Sequence, residues 1–412
     1  MNKIDKIKTG YKETKVGMIP EDWTVDNLGE CSIDEPKYGI NASSVEYNPQ
    51  LPLYLRITDI DDNGRFSKGK MRSVDHVDSK NFYLKKGDIV FVRTGSTTGK
   101  AYLYDELDGA LVYAGFLIKF SINKDKLLSN FLKHYCETQK YNNWVSVMSG
   151  RSGQPGINGQ EYSELPIPLP PLPEQKKIAE ILSTWDRAIE KTEKLIDAKT
   201  KLKKGLMLKL LTGQKRLKEF KNSKRINVKL GDIFEERNEF KYHDLELLSI
   251  TSTKGVVKRD SINKADTSND DKSKYRRICP GDIGYNTMRM WQGVSGVSNF
   301  EGIVSPAYTV VIPNENIDSQ FMGYLFKLPD VIHLFHRHSQ GLVDDTLNLK
   351  YHHFSQIHVT IPEDKKEQQR IASVLSTIDK EISVLNKKLK ALKQQKKGLM
   401  QKLLTGEVRV KV

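Results

Sequence analysis

The chain of 412 residues is too long for one ordinary hydrophobic core and suits two domains with connecting elements. Hydrophobic residues make up 38% and charged residues 29%, the balance of a soluble globular chain, and no run approaches the ~18 consecutive apolar residues that a membrane span needs. Lysine and arginine outnumber aspartate and glutamate by 66 to 52, a net charge of +14 that favours polyanionic partners such as a nucleic-acid backbone, although much of the surplus falls in two long helical segments and in residues 215–229.

The N-terminal residues 1–8 are basic with no apolar stretch behind them, which is unlike a secretory signal. Cys31, Cys136 and Cys279 are odd in number and far apart, which suits a reducing cytosol and offers no disulfide or zinc framework. A cytoplasmic location is expected. In chain order, the first half contains Leu28-Gly29-Glu30, then Lys86-Gly87-Asp88-Ile89 as a turn entering a strand at 89–93. A second strand follows at 115–121, a helical stretch at 126–148, and a loop rich in Gly, Ser and Gln. A proline-bearing strand at 165–171 leads into a long helix. The second half answers with Leu230-Gly231-Asp232, Pro280-Gly281-Asp282-Ile283, strands at 283–288 and 307–313, and a helical stretch at 319–336 interrupted at Pro329. Its exit strand at 357–362 opens a second long helix.

The two helices are a repeat. Glu174-Gln175-Lys176-Lys177-Ile178-Ala179 recurs as Glu367-Gln368-Gln369-Arg370-Ile371-Ala372, and Gly205-Leu206-Met207 recurs as Gly398-Leu399-Met400, both at an offset of 193 residues. About half of the roughly 40 positions between these ends are identical without a gap, which marks a duplicated two-part molecule rather than a solenoid. In the second copy Ile371, Leu375, Ile378, Ile382, Leu385 and Leu389 alternate at spacings of four and three, the seam of a coiled coil. The first copy starts the same way with Ile178, Leu182, Trp185 and Ile189, then drifts, with Thr192, Lys199 and Lys203 on the seam and Leu195 and Leu202 beside it. Each helix is expected to run about 60 Å and to stop at its Thr-Gly end, Gly213 or Gly406. Gly205 and Gly398 are read as close-packing points. The apolar stripes need covering, and an intramolecular antiparallel pair is the preferred packing, with homodimerisation as the competitor. The layout is a first head at 1–172, a helical spacer at 173–213, a linker and second head at 214–366, and a second spacer with a tail at 367–412.

Catalytic motifs are wanting. Gly95-Ser96-Thr97-Thr98-Gly99-Lys100-Ala101 has three residues between its glycines where a phosphate loop needs four, and Ala101 stands where a magnesium-binding hydroxyl belongs. Asn48-Pro49-Gln50-Leu51 does not make the Asn-Pro-Pro-aromatic string of a base methyltransferase. Glu363-Asp364-Lys365 opens a helix without a second acidic ligand in a nuclease arrangement. His333, His336, His338, His352 and His353 cluster in sequence but lack supporting ligands at metal-site spacing. Donors for base edges and phosphates stand on glycine-flanked loops beside strands. In the first head these are Arg93, Ser96, Thr97, Thr98, Lys100, Arg151, Ser152 and Gln154; in the second they are Arg289, Trp291, Gln292, Arg337, His338 and Gln340.

Several motifs together carry a resemblance: Pro168-Leu169-Pro170-Pro171-Leu172-Pro173 before Glu174-Gln175, the two Leu-Leu-Thr-Gly ends, Gly-Asp-Ile in each head, and Met288-Arg289-Met290-Trp291-Gln292-Gly293 followed by Gly302-Ile303-Val304-Ser305-Pro306-Ala307-Tyr308. Over nearly its whole length the chain resembles the specificity subunits of type I restriction-modification enzymes. It departs at the second exit, where Ile361-Pro362-Glu363-Asp364 replaces the multi-proline run. The resemblance implies an α+β architecture in which two α/β target-recognition domains are joined by two long helices. Those helices pair as an antiparallel coiled coil, in a pseudo-twofold tandem duplication. It also implies heads similar to the small recognition domain of type II adenine methyltransferases, each reading half of a split site in double-stranded DNA. The spacer helices dock two methyltransferase subunits, through which restriction subunits join. The chain itself is then no enzyme and binds no cofactor, with S-adenosylmethionine, ATP and magnesium expected on the partner subunits.

Overall fold

The computed structural model describes residues 9–150, 154–262 and 271–412. The chain divides into two compact units, Met1–Thr192 with Lys388–Val412, and Glu193–Lys387. The division cuts through both long helices, so each unit holds one head, the first part of the helix after it and the last part of the other helix.

In the first head β1 (Thr24–Asn27) precedes β2 (Lys37–Tyr38), β3 (Asp88–Val92), β4 (Ala101–Leu103) and β5 (Leu117–Ser121). The last four form an antiparallel sheet in the order β2-β5-β3-β4. Strand β3 reads Asp-Ile-Val-Phe-Val and is buried on both faces, the environment in which β-branched and aromatic residues are favoured. Its alternation sorts two cores. Ile89 and Phe91 join Phe120, Phe131 and Tyr162 on the helical side. Val90 and Val92 join Leu55, Leu111 and Tyr113 on the other, against a small mixed sheet that includes Leu53–Leu55 and Leu111–Tyr113.

The helical stretch at 126–148 is two helices, α1 (Ser129–Tyr135) and α2 (Gln139–Met148). The break has a local cause: Thr138 is buried in extended geometry and its hydroxyl accepts from the Tyr141 backbone at 3.2 Å, a new N-cap. Strand β6 (Pro166–Leu169) pairs with β1 and feeds α3 (Leu172–Leu211).

The second head repeats the plan with β7 (Arg225–Lys229), β8 (Phe234–Glu236), β9 (Ile283–Asn286), β10 (Ser295–Val297) and β11 (Tyr308–Pro313). Its antiparallel sheet has the order β8-β11-β9-β10, the counterpart of β2-β5-β3-β4. Two helices follow, α4 (Ser319–Leu325) and α5 (Pro329–His338). Pro329 occupies the first turn of α5, where its missing N–H costs nothing. Strand β12 (His358–Pro362) pairs with β7 and leads into α6 (Lys365–Leu403). Gly87 and Gly281, both at φ 93°, make the turns into β3 and β9.

Each unit buries its helix segments in the core of its own head. Ile178 and Leu182 pack with Met400, Leu403 and Trp23 in the first; Ile371 and Leu375 pack with Leu210, Leu211 and Phe354 in the second. Ion pairs give the direction. In the first unit Glu174 meets Arg409 at 2.7 Å and Asp186 meets Lys396 at 2.7 Å. In the second, Lys199 meets Glu381 at 2.7 Å, Lys203 meets Asp379 at 2.7 Å and Arg216 meets Glu367 at 2.8 Å. Numbers fall along one segment as they rise along the other, so the segments run antiparallel in both units.

The repeated Glu-Gln pair is buried at both helix starts. The Gln175 amide oxygen accepts from Leu128 N at 2.9 Å, and its amide nitrogen donates to Lys126 O at 2.9 Å. Gln368 does the same for Asp318 N and Pro362 O, each at 2.9 Å. On the seam Ile178, Leu182, Ile189, Ile371, Leu375 and Ile378 are buried, while Trp185, Ile382, Leu385 and Leu389 are half-buried. Thr192 is buried with its hydroxyl on Ala188 O at 2.7 Å, so the seam of the first copy passes through polar positions and leaves Leu195 and Leu202 exposed. Gly205 and Gly398 are not close-packing points, because a Cβ at either would meet nothing within 4 Å. Gly213 and Gly406 do end the helices: φ is 81° and 72°, and a Cβ at Gly406 would lie 2.3 Å from Pro20.

Candidate nucleic-acid interface

The loop leaving β3 and the loop before residue 157 lie side by side, with Ile157 N bonded to Arg93 O at 2.8 Å and Gly95 N to Pro155 O at 3.1 Å. The second head makes the same junction, where Leu349 N bonds Thr287 O at 2.8 Å just past β9. The described donors among the sequence candidates lie on or beside these loops in each head.

In the first head the corner has two aspects. Arg93 is half-buried with its guanidinium 4.8 Å from the centre of the Tyr38 ring, and no carboxylate pairs with it among the described residues. It lines a pocket of about 620 Å3 together with Tyr38, Asn41, Thr58 and the exposed Phe116. Arg56 also lines this pocket, but both oxygens of Asp59 hold its guanidinium, at 2.7 and 2.8 Å.

Ser96, Thr97, Thr98 and Lys100 turn to a different cleft, beside α3 and the end of α6. The Thr98 hydroxyl closes its own turn on Gly95 O at 2.7 Å. Lys100 bonds Asp62 at 2.7 Å and thereby holds that carboxyl below the usual range. The chain then continues into β4 rather than a helix, so this loop lacks the helix N-terminus that phosphate loops use. Gln154 is exposed beside Gly95. Arg151 and Ser152 lie outside the described residues.

In the second head the structure draws the candidates together. Trp291 packs edge-on against His336 of α5, ring centres 5.8 Å apart, and its indole donates to Met288 O at 3.1 Å. Arg289 lies 3.6 Å from Asp345, and Gln292, Arg337 and Gln340 are exposed. His338 Nδ1 sits 2.9 Å from Leu334 O, which turns that ring towards its own helix. Gln340 pairs with Asn348 through backbone bonds of 2.8 and 2.9 Å, closing a loop whose tip, Leu342, is wholly exposed.

Tyr38, Phe116 and Leu342 were not marked in sequence. The available signal was their position beside Gly39, Gly115 and Gly341. Such corners offer guanidinium and amide donors together with flat or apolar surfaces, the equipment for contacts to phosphates and base edges.

Comparison with known proteins agrees with this duplicated plan. The family model for the type I restriction modification DNA specificity domain matches twice, over residues 20–201 and 214–394. The MjaX type I restriction enzyme specificity subunit of Methanocaldococcus jannaschii is 27% identical over 426 residues, covering 97% of each chain. The MjaVIII specificity subunit of the same organism is 27% identical, covering 97% of this chain and 96% of its own. The crystal structure of a type I restriction-modification S subunit from M. genitalium has the same fold, with a TM-score of 0.59 at 16% identity over 92% of this chain and 96% of that one. With both halves matched, the chain belongs to the type I restriction-modification DNA specificity family, as a recognition subunit with two target-recognition domains.

Proposed function

We propose that each head reads one half of a bipartite site in double-stranded DNA through its corner, around Arg93 in the first head and around Arg289 and Trp291 in the second. The observation that carries this reading is the repeated junction past β3 and β9, which places different side chains at one position of one sheet plan. The helices act as the ruler between half-sites and as the docking face for two methyltransferase subunits, through which restriction subunits join. Leu195, Leu202, Leu208 and Val384 support docking, since they are apolar and exposed on helices whose seam faces elsewhere. Adenine methylation and cleavage then belong to the partners, together with S-adenosylmethionine, ATP and magnesium.

Methylome sequencing of cells with and without this gene, the partner genes being present, tests the reading. A split adenine-methylation motif that appears only with the gene is expected. Methyl transfer by the purified chain alone contradicts it.

A further inference from the structure

In each unit the head meets a charged pair that joins the two helix segments. In the first, Lys396 of α6 donates to Asp186 of α3 at 2.7 Å and to Glu137, just past α1, at 2.5 Å. His134 of α1 is buried in the same cluster, its Nε2 3.3 Å from the Ser183 hydroxyl and its Nδ1 3.7 Å from Asp186. In the second, Lys203 of α3 bonds one oxygen of Asp379 of α6 at 2.7 Å, and the Tyr324 hydroxyl donates to the other at 2.7 Å. The Lys203 ammonium lies 5.3 Å from the Tyr324 ring.

The frame members are repeat partners: Asp186 with Asp379, and Lys203 with Lys396, stand at the offset of 193 residues. The head members occupy equal places but differ. His134 and Tyr324 are each the sixth residue of their helices, and Glu137 and Lys327 each follow two residues after the helix end. Lys327 turns away from the pair, to Gly293 O at 2.6 Å and Ser295 O at 2.8 Å.

Beside each bridge is a cleft, about 530 Å3 in the first unit and 540 Å3 in the second, lined by head loops and by the bridge residues themselves. At that level the bridge, rather than close packing, spans the gap between head and helices. The Lys396–Asp186 pair is largely buried, the Lys203–Asp379 pair half-exposed. A buried ion pair contributes little net stability over an apolar filling, but it penalises misalignment, because a displaced partner leaves a charge unpaired, and a half-exposed pair does so more weakly. A divalent cation is a poor alternative in the first unit. Ligand atoms of His134, Glu137 and Asp186 lie within 4.8 Å of one another, yet the Lys396 ammonium already sits between the two carboxylates.

We propose that the duplicated Asp–Lys pair is a socket on the helical frame, into which each head inserts its own plug, Glu137 with His134 in one unit and Tyr324 in the other, fixing the angle at which that head meets DNA. The proposal rests on the specificity-subunit reading. These residues are positioning residues, so their signature is the tolerance for the gap between half-sites rather than the bases read.

The test uses the full chain assembled with its methyltransferase partner and a DNA library whose unread gap is native, one base pair shorter or one longer. The variants are Lys396→Met, and the triple Glu137→Gln, Asp186→Asn, Lys396→Met, which leaves no buried charge unpaired. Both are expected to slow methylation of the native-gap site by up to roughly 100-fold, the cost of a misplacement of about 1 Å. Preference for the native gap over its neighbours relaxes, and the half-site sequences stay unchanged. Lys396→Arg restores the preference, and Lys203→Met reproduces the defect from the second unit. Glu137→Gln, which keeps an acceptor for the ammonium, shows the same defect in smaller measure. Assembled, active variants that keep the native gap preference overturn the proposal alone. A wild-type complex that methylates nothing in the library overturns the reading beneath it.

Discussion

The two units are most alike where head and helices meet and least alike where the heads turn their loops outward. At the frame Glu174 takes Arg409 from beyond the end of α6, and Glu367 takes Arg216 from beyond the end of α3. At the outer corners one head sets Tyr38, Arg93 and Phe116 around an open pocket, while the other sets Trp291 against α5 with Arg289 beside it. The contrast has a physical basis. A buried ion pair cannot lose one member without stranding the other, whereas an exposed corner residue changes at a cost within about half a kcal/mol. Duplication therefore leaves the frame constrained and the corners free to diverge.

If the frame is held by these buried pairs, the largest loss follows from Glu367→Ala. It strands the charge of Arg216, whose side chain is 20% exposed, and also removes one acceptor of the Ser223 hydroxyl, which keeps Phe220 O at 3.2 Å. Chemical denaturation should show a loss of about 3–5 kcal/mol, the usual cost of breaking a buried pair. Glu174→Ala should cost less, since Arg409 is 41% exposed and keeps Asp22, so that the buried Trp23 indole, which donates to Glu174 at 3.1 Å, is the main group left without its partner. Equal, negligible losses would remove the frame's special status.

Acid separates the units next. Burial, reinforced by Lys396, pushes the His134 imidazole down to about 3, so the folded first unit resists a proton that the unfolded chain takes up near its ordinary value of ~6.5. Stability from this group is complete above that ordinary value and is lost as pH falls towards 3, at up to about 1.4 kcal/mol per pH unit. The groups facing it are Glu137 and Lys133 at its own helix, Asp186 of α3 and Lys396 of α6. Burial pushes the Glu137 carboxyl up, which opposes the trend near its own range, so the measurement is the difference made by His134→Gln. That variant should flatten the acid slope reported by Trp23, Trp144 and Trp185, and leave the slope reported by Trp291 in the second unit, where Tyr324 stands in place of His134.

At the corners, Arg93→Ala should weaken discrimination at one half-site by about 1–3 kcal/mol and leave the other half-site as it was. Trp291→Ala should do the converse. Methylation of half-site variants by the assembled complex reads both, and a change in both halves from either substitution would break the separation between heads. The smallest effect is at the bare helix glycines. Gly205→Ala and Gly398→Ala should each stabilise the isolated chain by about 0.5–1 kcal/mol, since a Cβ there meets nothing. Loss of assembly instead would mark these points as close approaches to a partner.

The seam was legible because Ile371, Leu375 and Ile378 obey a spacing that only a helix satisfies. Lys199 and Lys203 looked like drift because their partners, Glu381 and Asp379, are known only once the segments pair, whereas Thr192 turns its hydroxyl to Ala188 O one turn back in its own helix. The Glu-Gln repeat was visible, but its purpose depends on Arg409, 235 residues from Glu174. At the corners, donor chemistry on glycine-flanked loops marked Arg93, Arg289 and Trp291. It could not separate Arg93 from Ser96 to Lys100, which the turn at Gly95 sends to a different cleft. Nor could it reveal that pairing of β2 with β5 sets Tyr38 near Phe116.

Replacing residues 1–171 with the same part of another family member, then sequencing the methylome, tests the separation of readers from frame most directly. One half of the methylated motif should change, while the other half and the native gap persist. An assembled, active hybrid in which both halves change, or neither does, would contradict the account.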